Sequence, residues 1–522
     1  MASTTDTTAR VKKRTLDKDL DKLVHVEEAT SLVARGLVAP GLGLLFLALA
    51  AVFASVYVIG EPRAVIIIAA AAIGAYMALN IGANDVANNV GPAVGAKALT
   101  LTGALVIAAI FETAGALIAG GDVVNTVSKG IIAPESVASP DIFIRAMMAA
   151  LISSALWVNL ATWVGAPVST THSVVGGVMG AGIAAAGFSS VHWPTMAQIA
   201  ASWVVSPVMG GLIAALFLAF VKTAIIYQDD KITAARRWVP LLIAIMAGTF
   251  AAYLATKGLK KVISIDNGTV AALGFGAFAL VWALAHVHVR RQSEGMENRN
   301  QSLRRLFNVP LVISASLLSF AHGANDVANA VGPLAAIVFT AEAGAVTTTV
   351  TIPLWVMVIG AFGISLGLVL FGPKLIRMVG EQITKLNPMR AFCVALSAAI
   401  TVIIASGLGL PISSTHTAVG AVFGVGFFRE WYTARSKRRR AYLERKGLKV
   451  KNARPAGSKV GPFHVLFEND ENGGAGVSRE EIVRRKLVRR AHVRTIVAAW
   501  ITTVPAAAAL AGGVFLFLNA FG

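Results

Sequence analysis

An eleven-residue stretch occurs twice in the chain, and this duplication constrains the fold more than any other feature of the sequence. Residues 82–92 read GANDVANNVGP and residues 323–333 read GANDVANAVGP, so the two copies differ at one position. A second motif also recurs, as PVSTTH at residues 167–172 and as PISSTH at residues 411–416. We call these the GAND and STH motifs. Because both recur in the same order, the chain is built from a duplicated unit.

Long apolar runs place this duplicated unit in a membrane. Of the 522 residues, 56% are hydrophobic and only 14% are charged, whereas a soluble domain carries about 25% charged residues. Apolar runs of about 20 residues, the length of a membrane-spanning helix, recur throughout the sequence. We therefore predict an all-α, polytopic, multi-pass membrane protein, and we expect it in a bacterial-type inner (plasma) membrane.

The charged residues lie mostly in loops and at the ends of the chain. The formal net charge is +19, and in a membrane protein such an excess marks cytoplasmic loops and contacts with anionic lipids. No nucleic-acid motif accompanies it, so we predict no nucleic-acid partner. Cys393 is the only cysteine, which excludes an intrachain disulfide and a cysteine-based metal cluster.

The apolar runs and the repeated motifs divide the chain into seven segments. We predict a cytoplasmic tail, an extra span, a first transport repeat, connecting spans with a basic loop, a second transport repeat, a basic cytoplasmic insert and a final span. In that order they cover residues 1–35, 36–63, 64–221, 222–308, 309–428, 429–494 and 495–522.

The distribution of Lys and Arg orients the two repeats. Loops near residues 222–237, 290–308, 373–388 and 429–494 are rich in these residues, and the positive-inside rule places them in the cytoplasm. The first GAND segment then crosses inward and the second crosses outward, although three lysines near 257–261 fall on the opposite side. We therefore predict two inverted-topology repeats with discontinuous helices and re-entrant or broken segments, which is typical of secondary transporters.

The GAND motifs place carboxylates and amides in apolar sequence. Residues three or four apart share one face of a helix, and a carboxylate at mid-membrane costs about 2.5–3.5 kcal/mol on insertion scales. Glycines and prolines in the motif can break the helix and expose carbonyl oxygens, which suit a small cation. The alternative is a polar helix cap in a loop. The predicted cation ligands are Asn84, Asp85, Asn325 and Asp326.

The STH motifs resemble capped helix starts, and the same geometry makes an anion site. Free N–H groups, the positive end of the helix dipole and several hydroxyls converge there. Inverted repeats would bring both helix starts toward one point. His172 and His416 orient the motif or carry a proton, unless they only pack between helices. The predicted anion-binding hydroxyls are Ser169, Thr170, Thr171, Ser413, Ser414 and Thr415.

The two motifs together predict coupled transport. Phosphate carries about −1.5 to −2 charges near neutral pH, and Asp85 and Asp326 would repel it in a low dielectric. The anion therefore needs cations or protons bound beside it. Glu112 is a further ionisable residue inside a span, and we consider it a cation ligand or a carboxylate paired within the bundle.

At these residues the sequence resembles the inorganic phosphate transporter (PiT) family. The resemblance extends from about residue 64 to residue 427, together with the final span. It rests on both GAND and both STH motifs, on FETAGALIAG at residues 111–120 and on GISLGLVLFG at residues 363–372.

The resemblance implies a carrier that is not an enzyme, with inorganic phosphate as substrate and Na⁺ or H⁺ as the coupling ion. It implies no cofactor, no metal beyond Na⁺, and a homodimer with one central site per subunit. Carried over to matching positions, Asn88 and Asn329 join the STH hydroxyls in binding phosphate. Ala395 stands where many members have a Glu, which leaves the coupling ion and its stoichiometry open.

Three other functions are compatible with parts of the sequence. A symporter of the same family for sulfate, or for another tetrahedral oxyanion, would share these motifs. A membrane enzyme that handles phosphate through His172 or His416 would need an asymmetric site with a metal cluster, and a passive channel would need a continuous polar stripe. The sequence shows neither, so we predict alternating-access import of phosphate.

Overall fold

The computed structural model describes residues 15–85, 87–133, 136–164, 168–346, 352–378, 386–435 and 490–521. Apart from one bridge between Ile132 and Val191, the regular structure of these residues is helical, and the predicted all-α, polytopic membrane fold is confirmed. The helices are α1 Thr15–Val58, α2 Ala64–Asp85, α3 Ala87–Gly95, α4 Leu101–Ala119, α5 Gly121–Lys129, α6 Pro140–Val164, α7 Thr170–Ala186, α8 Trp193–Val221, α9 Lys231–Leu254, α10 Lys260–Val262, α11 Asn267–Gln292, α12 Asn300–Leu306, α13 Asn308–Ala343, α14 Leu354–Met378, α15 Pro388–Gly407, α16 Ser414–Arg435 and α17 Arg490–Phe521.

Ten helical segments among the described residues are long and apolar enough to cross a membrane, and α12 with α13 would make an eleventh. Several of them expose large apolar side chains, such as Phe275 at 73% and Leu284 at 63% of their surface. Water would make this exposure unfavourable, whereas lipid tails accept it. In contrast α5 and α7, of nine and 17 residues, are shorter than the ~20 residues that a span needs.

The two helices that carry the GAND motifs run antiparallel. At one end, the Arg63 guanidinium, just before α2, lies 3.4 Å from the carbonyl oxygen of Ala341 near the end of α13. At the other end, Lys97, just beyond α3, and Asn308, the first residue of α13, line the same cavity. The start of each motif helix therefore lies beside the end of the other, as inverted repeats require.

Motif glycines let these helices contact the opposite repeat through the backbone. A Cβ atom at Gly82 would overlap the carbonyl oxygen of Ile364 in α14, and one at Gly323 would overlap that of Glu112 in α4. Glu112 and Ile364 occupy equivalent places in FETAG and GISLG. The two interfaces are therefore matched, and each needs a residue without a side chain.

The helices that start at the STH motifs also pack across the repeats. Gly180 of α7 lies against Ala508 of α17, and Gly424 of α16 lies against Gly211 of α8. Each STH helix thus packs against the span that follows the other STH motif in sequence. The final span, α17, therefore packs against α7 of the first repeat.

One expectation for the GAND segments differs from the structure. Gly323, Gly332 and Pro333 were expected to break the helix, but α13 continues through them from Asn308 to Ala343. All three residues are buried, and close packing of neighbouring helices stabilises a helix that its local sequence would weaken. In the first copy, α2 ends at Asp85 and α3 begins at Ala87, and the residue between them lies outside the described part of the chain.

Candidate functional site

The two motif carboxylates lie together in the centre of the protein. Asp85 ends α2 and Asp326 lies in α13, and each is 1% exposed. Atoms of Asp85, His322 and Asp326 that can bind a cation all lie within 4.8 Å of one another. At this separation two ionised carboxylates repel by about 3 kcal/mol at an effective dielectric constant near 20. A cation or a proton between them would remove that repulsion.

The STH motifs begin α7 and α16, as predicted, and their first serines are used for capping. The Ser169 hydroxyl accepts a hydrogen bond from the backbone N–H of His172 at 3.2 Å, and Ser413 does the same for His416 at 3.2 Å. These are N-cap contacts, which satisfy donors at a helix start. Each contact uses one lone pair of the serine oxygen and does not involve its O–H group, so the role of both hydroxyls in binding the anion stays a prediction.

The second motif hydroxyl bonds the carboxylate of its own repeat. Thr170 donates to Asp85 at 2.6 Å, and Ser414 donates to Asp326 at 2.9 Å. Hydrogen bonds to an ionised acceptor are about twice as strong as neutral ones. The start of each STH helix is therefore fixed to the GAND helix of the same repeat.

The third motif hydroxyl reaches the opposite repeat. Thr415 accepts a hydrogen bond from the amide of Asn88 at 3.0 Å, and Thr171 accepts one from Asn329 at 3.1 Å. Thr415 also donates to Asp85 at 3.0 Å. These contacts join the repeats in one polar cluster, which we call the central cluster: Asp85, Asn88, Thr170, Thr171, Asp326, Asn329, Ser414 and Thr415.

Both STH helix starts converge on this cluster, as the sequence predicts. Thr171 at the start of α7 donates to the carbonyl oxygen of Ile412, two residues before α16 begins. The first N–H groups of a helix lack acceptors within the helix, and the helix dipole adds positive potential there. The cluster therefore combines two carboxylates with several donors, so it can hold an anion and cations side by side.

The first asparagine of each GAND motif has another environment. The Asn84 amide donates to Thr162 of α6 at 2.8 Å. The Asn325 amide donates to the carbonyl oxygen of Ile412 at 2.7 Å and to the Asp326 carboxylate. Asn84 thus ties α2 to α6, and Asn325 holds the segment before α16 against α13. Both were predicted as cation ligands, and their contacts fit a positioning role.

The STH histidines belong to an aromatic cluster behind the hydroxyls. The ring centroids of His172 and His416 lie 4.4 Å apart, and the His172 ring lies 3.9 Å from that of Trp203. The Trp203 indole N–H donates to the carbonyl oxygen of Pro411 at 3.1 Å. This packing fixes the two helix starts against α8, which fits the orienting role that was expected of these histidines.

A polar chain extends from Asp326 of the cluster toward α3 and α4. His322 Nε2 lies 2.8 Å from an oxygen of Asp326, and His322 Nδ1 lies 3.3 Å from an oxygen of Glu112. The amide of Asn89 donates to Glu112 at 3.0 Å. In the other repeat the equivalent places of Asn89 and Glu112 hold Ala330 and Ile364. We call Asn89, Glu112 and His322 the asymmetric chain.

Sequence reasoning identified Glu112 but missed its two partners. The available signal for His322 was its spacing of four residues from Asp326, which places both on one helix face. The signal for Asn89 was that it is the only position at which the two GAND copies differ. Neither signal shows by itself that the residue contacts Glu112, because Glu112 lies on another helix, α4.

The comparisons with known proteins point to one family. The profile of the phosphate transporter family matches residues 81–511. Proteins named "Putative phosphate permease" in Helicobacter pylori and in Haemophilus influenzae are 45% and 36% identical to the chain. The first alignment covers 96% of this chain and 99% of the relative, and the second covers 69% and 87%.

A solved structure shares the fold as well. The chain is similar to one described as "The sodium-dependent phosphate transporter", with a TM-score of 0.74 and 34% sequence identity. The similarity covers 87% of this chain and 99% of that one.

Proposed function

The chain belongs to the phosphate transporter family, and from this premise we propose that it imports inorganic phosphate by symport with Na⁺. It is a transporter rather than an enzyme, because the family consists of phosphate permeases. Beyond family membership, the proposal specifies the coupling ion, the direction of transport and the residues that bind phosphate and the cations. It rests on one observation above all, which is that hydroxyls and amides of both repeats converge on Asp85 and Asp326.

Electrostatics favours coupling at this cluster. A phosphate ion held by Asn88, Asn329 and the hydroxyls of Thr171 and Thr415 would lie within a few ångströms of two carboxylates. In a site from which water is excluded, such like charges repel strongly. Cations bound by the carboxylates would change that repulsion into attraction. Anion and cations would then bind together, as symport requires.

The ligand chemistry favours Na⁺ as the cation. Asp85 and Asp326 supply carboxylate oxygens, and Thr170, Ser414 and Thr415 supply hydroxyl oxygens next to them. Hard cations prefer such oxygen donors. The sodium dependence named for the similar solved structure agrees with this choice.

One observation favours protons as a second candidate. His322 lies between the carboxylates of Glu112 and Asp326, and a histidine ordinarily titrates near neutral pH. A proton taken up by the asymmetric chain could balance the charge of phosphate in place of Na⁺. Glu112 would then couple transport to the pH gradient instead of supporting the cation site through His322.

Burial of the cluster supports alternating access. Asp85 and Asp326 are each 1% exposed, and the STH hydroxyl residues are at most 3% exposed. A solute could reach them only if helices of the two repeats move apart on one side at a time. The glycine contacts of Gly82 and Gly323 lie at the surfaces between repeats along which such a movement would occur.

The test is uptake of radiolabelled phosphate into proteoliposomes that contain the purified protein. A Na⁺ gradient alone and a pH gradient alone are imposed in separate experiments, with Asp326→Asn as the inactive control. Uptake driven by Na⁺ and lost in the variant supports the proposal. Uptake driven only by the pH gradient shifts the coupling to the proton candidate.

A competition experiment tests the substrate in the same vesicles. Unlabelled phosphate in tenfold excess should suppress uptake of the label, whereas sulfate in the same excess should not. Uptake of labelled sulfate that phosphate displaces weakly would assign the site to sulfate. Absence of phosphate uptake under both gradients would overturn the proposed symport.

A further inference from the structure

A second polar site lies outside the central cluster, in a cavity of about 760 Å³. The cavity is formed by the segment after α3, by α12 and the start of α13, and by the start of α15. The charge distribution predicts that the loops near residues 290–308 and 373–388 are cytoplasmic and that the first GAND segment crosses inward to the same side. Its lining is Gly95, Ala96, Lys97, Gln301, Arg304, Arg305, Asn308, Leu386, Asn387, Pro388 and Arg390.

Four of these lining residues are cationic and none is acidic. Within the described residues, Lys97, Arg304, Arg305 and Arg390 form no ion pair with a carboxylate, and Arg304 and Arg390 are close enough to repel each other. Arg63, at the opposite end of the paired GAND helices, is in contrast neutralised by Asp141 at 2.9 Å. The positive charge at the cavity is therefore concentrated, and no carboxylate of the described residues neutralises it through an ion pair.

The neutral residues of the cavity add hydrogen-bond donors. Gln301 and Asn308 carry amide groups, and Asn387 caps α15 by accepting the backbone N–H of Arg390 at 3.0 Å. The start of this 20-residue helix adds the positive end of its dipole. Guanidinium groups bind phosphate oxygens in a two-point geometry, which makes arginine the usual residue for phosphate recognition.

We propose that this cavity is a second anion site, which binds a phosphate group either as inorganic phosphate or as the headgroup of an anionic phospholipid. The site is separate from the central cluster, since Gly95 lies seven residues beyond Asn88 along α3, or about 10 Å at 1.5 Å per residue. Binding there does not depend on the coupling ion. Because Arg304 and Arg305 are exposed, the affinity falls as ionic strength rises.

The test separates the two sources of the phosphate group. The full-length protein is placed in nanodiscs of phosphatidylcholine, and binding of radiolabelled inorganic phosphate is measured by equilibrium dialysis at low and high salt. In the second arm, the detergent-solubilised protein is incubated with phosphatidic acid, and retained lipid is counted by native mass spectrometry. The variant is Arg304→Gln with Arg305→Gln. The control is Arg290→Gln with Arg291→Gln, an exposed pair that does not line the cavity.

In the cavity variant we expect the salt-sensitive binding of phosphate, or the amount of retained phosphatidic acid, to fall at least tenfold. The control variant should keep both. Loss in the first arm assigns the site to free phosphate, and loss in the second alone assigns it to a lipid headgroup. Arg390→Gln, a substitution in α15, should give the same loss, because the proposed ligand contacts both α12 and α15. Equal binding by wild type and the cavity variant in both arms overturns the proposal.

Discussion

Thr415 donates a hydrogen bond to the carboxylate of Asp85 at 3.0 Å, although 330 residues separate the two in the chain. The same hydroxyl accepts a hydrogen bond from Asn88. Through this one side chain the second STH motif completes the environment of the first GAND motif. The site therefore exists only when both repeats are assembled, and its chemistry depends on contacts between them.

Thr415→Val should abolish most transport without unfolding the protein. Valine has nearly the shape of threonine, but it can neither donate to Asp85 nor accept from Asn88, and a buried polar group without a partner costs about 1–3 kcal/mol. We expect at least a tenfold fall in the initial rate of phosphate uptake. Thr249→Val is the matched control, because that exposed hydroxyl bonds only its own helix. Equal rates in both variants would remove Thr415 from the site.

Asn89→Ala should weaken cation coupling more than phosphate recognition. The substitution makes the first GAND motif identical to the second and leaves Glu112 without its amide donor. A lost hydrogen bond to a charged group amounts to about 1.5–3 kcal/mol, so the concentration of the driving cation at half-maximal uptake should rise about tenfold. Phosphate dependence at saturating cation should change little. Asn300→Ala, a substitution at an exposed residue of α12, serves as the control.

Gly323→Ala should disrupt the packing of the repeats. The added methyl group would overlap the main chain at Glu112, and overpacking of this kind costs about 1–3 kcal/mol or more. We expect a lower thermal unfolding temperature in detergent and no phosphate uptake. At Gly276 of α11 nothing lies within 4 Å of an added Cβ atom, so Gly276→Ala should leave both properties intact. A normal unfolding temperature for Gly323→Ala would contradict the close contact.

Asp230 lies outside the candidate membrane spans, and its contribution to the stability of the fold depends on pH. It caps α9 and accepts hydrogen bonds from the Thr233 side chain and backbone, and these contacts lower the pKa of its carboxyl group. Because the pKa is lower in the folded state, the ionised cap stabilises above the unfolded value of about 3.9 and is lost as pH falls below it.

Asp230→Ala should therefore lower the unfolding free energy by about 1 kcal/mol at pH 7. The difference from wild type should shrink as the pH falls below about 4, in a series of thermal unfolding measurements. Asp230→Asn keeps a neutral cap, so its effect should be smaller at pH 7. A difference that stays constant down to pH 3 would show that the charge of the cap contributes nothing.

The sequence by itself determined the class of protein, the duplication and most of the residues in the site. Apolar runs of about 20 residues predict membrane helices independently of tertiary packing. In lipid no water is present, so the backbone N–H and C=O groups must form hydrogen bonds within the helix. Repeated motifs with carboxylates, amides and hydroxyls identified Asp85, Asp326, Thr170 and Ser414. These conclusions need only local patterns.

Tertiary structure decided which side chains meet. A helical period tells which residues share a face, but it does not tell which helix will cover that face. Only the packed structure shows that Ser169 and Ser413 are caps, whereas Thr171 and Thr415 cross to the other repeat. It also brings His322 and Asn89 to Glu112 from two other helices.

The unbroken path of α13 has the same origin. Gly323, Gly332 and Pro333 weaken a helix in isolation, and from sequence alone they predict a break. The absence of side chains at Gly323 and Gly332 instead lets α4 and α5 approach closely, and the packing this allows outweighs the local preference. Local sequence patterns determine which secondary structure each segment favours, whereas contacts between distant segments determine the structure that the whole chain adopts.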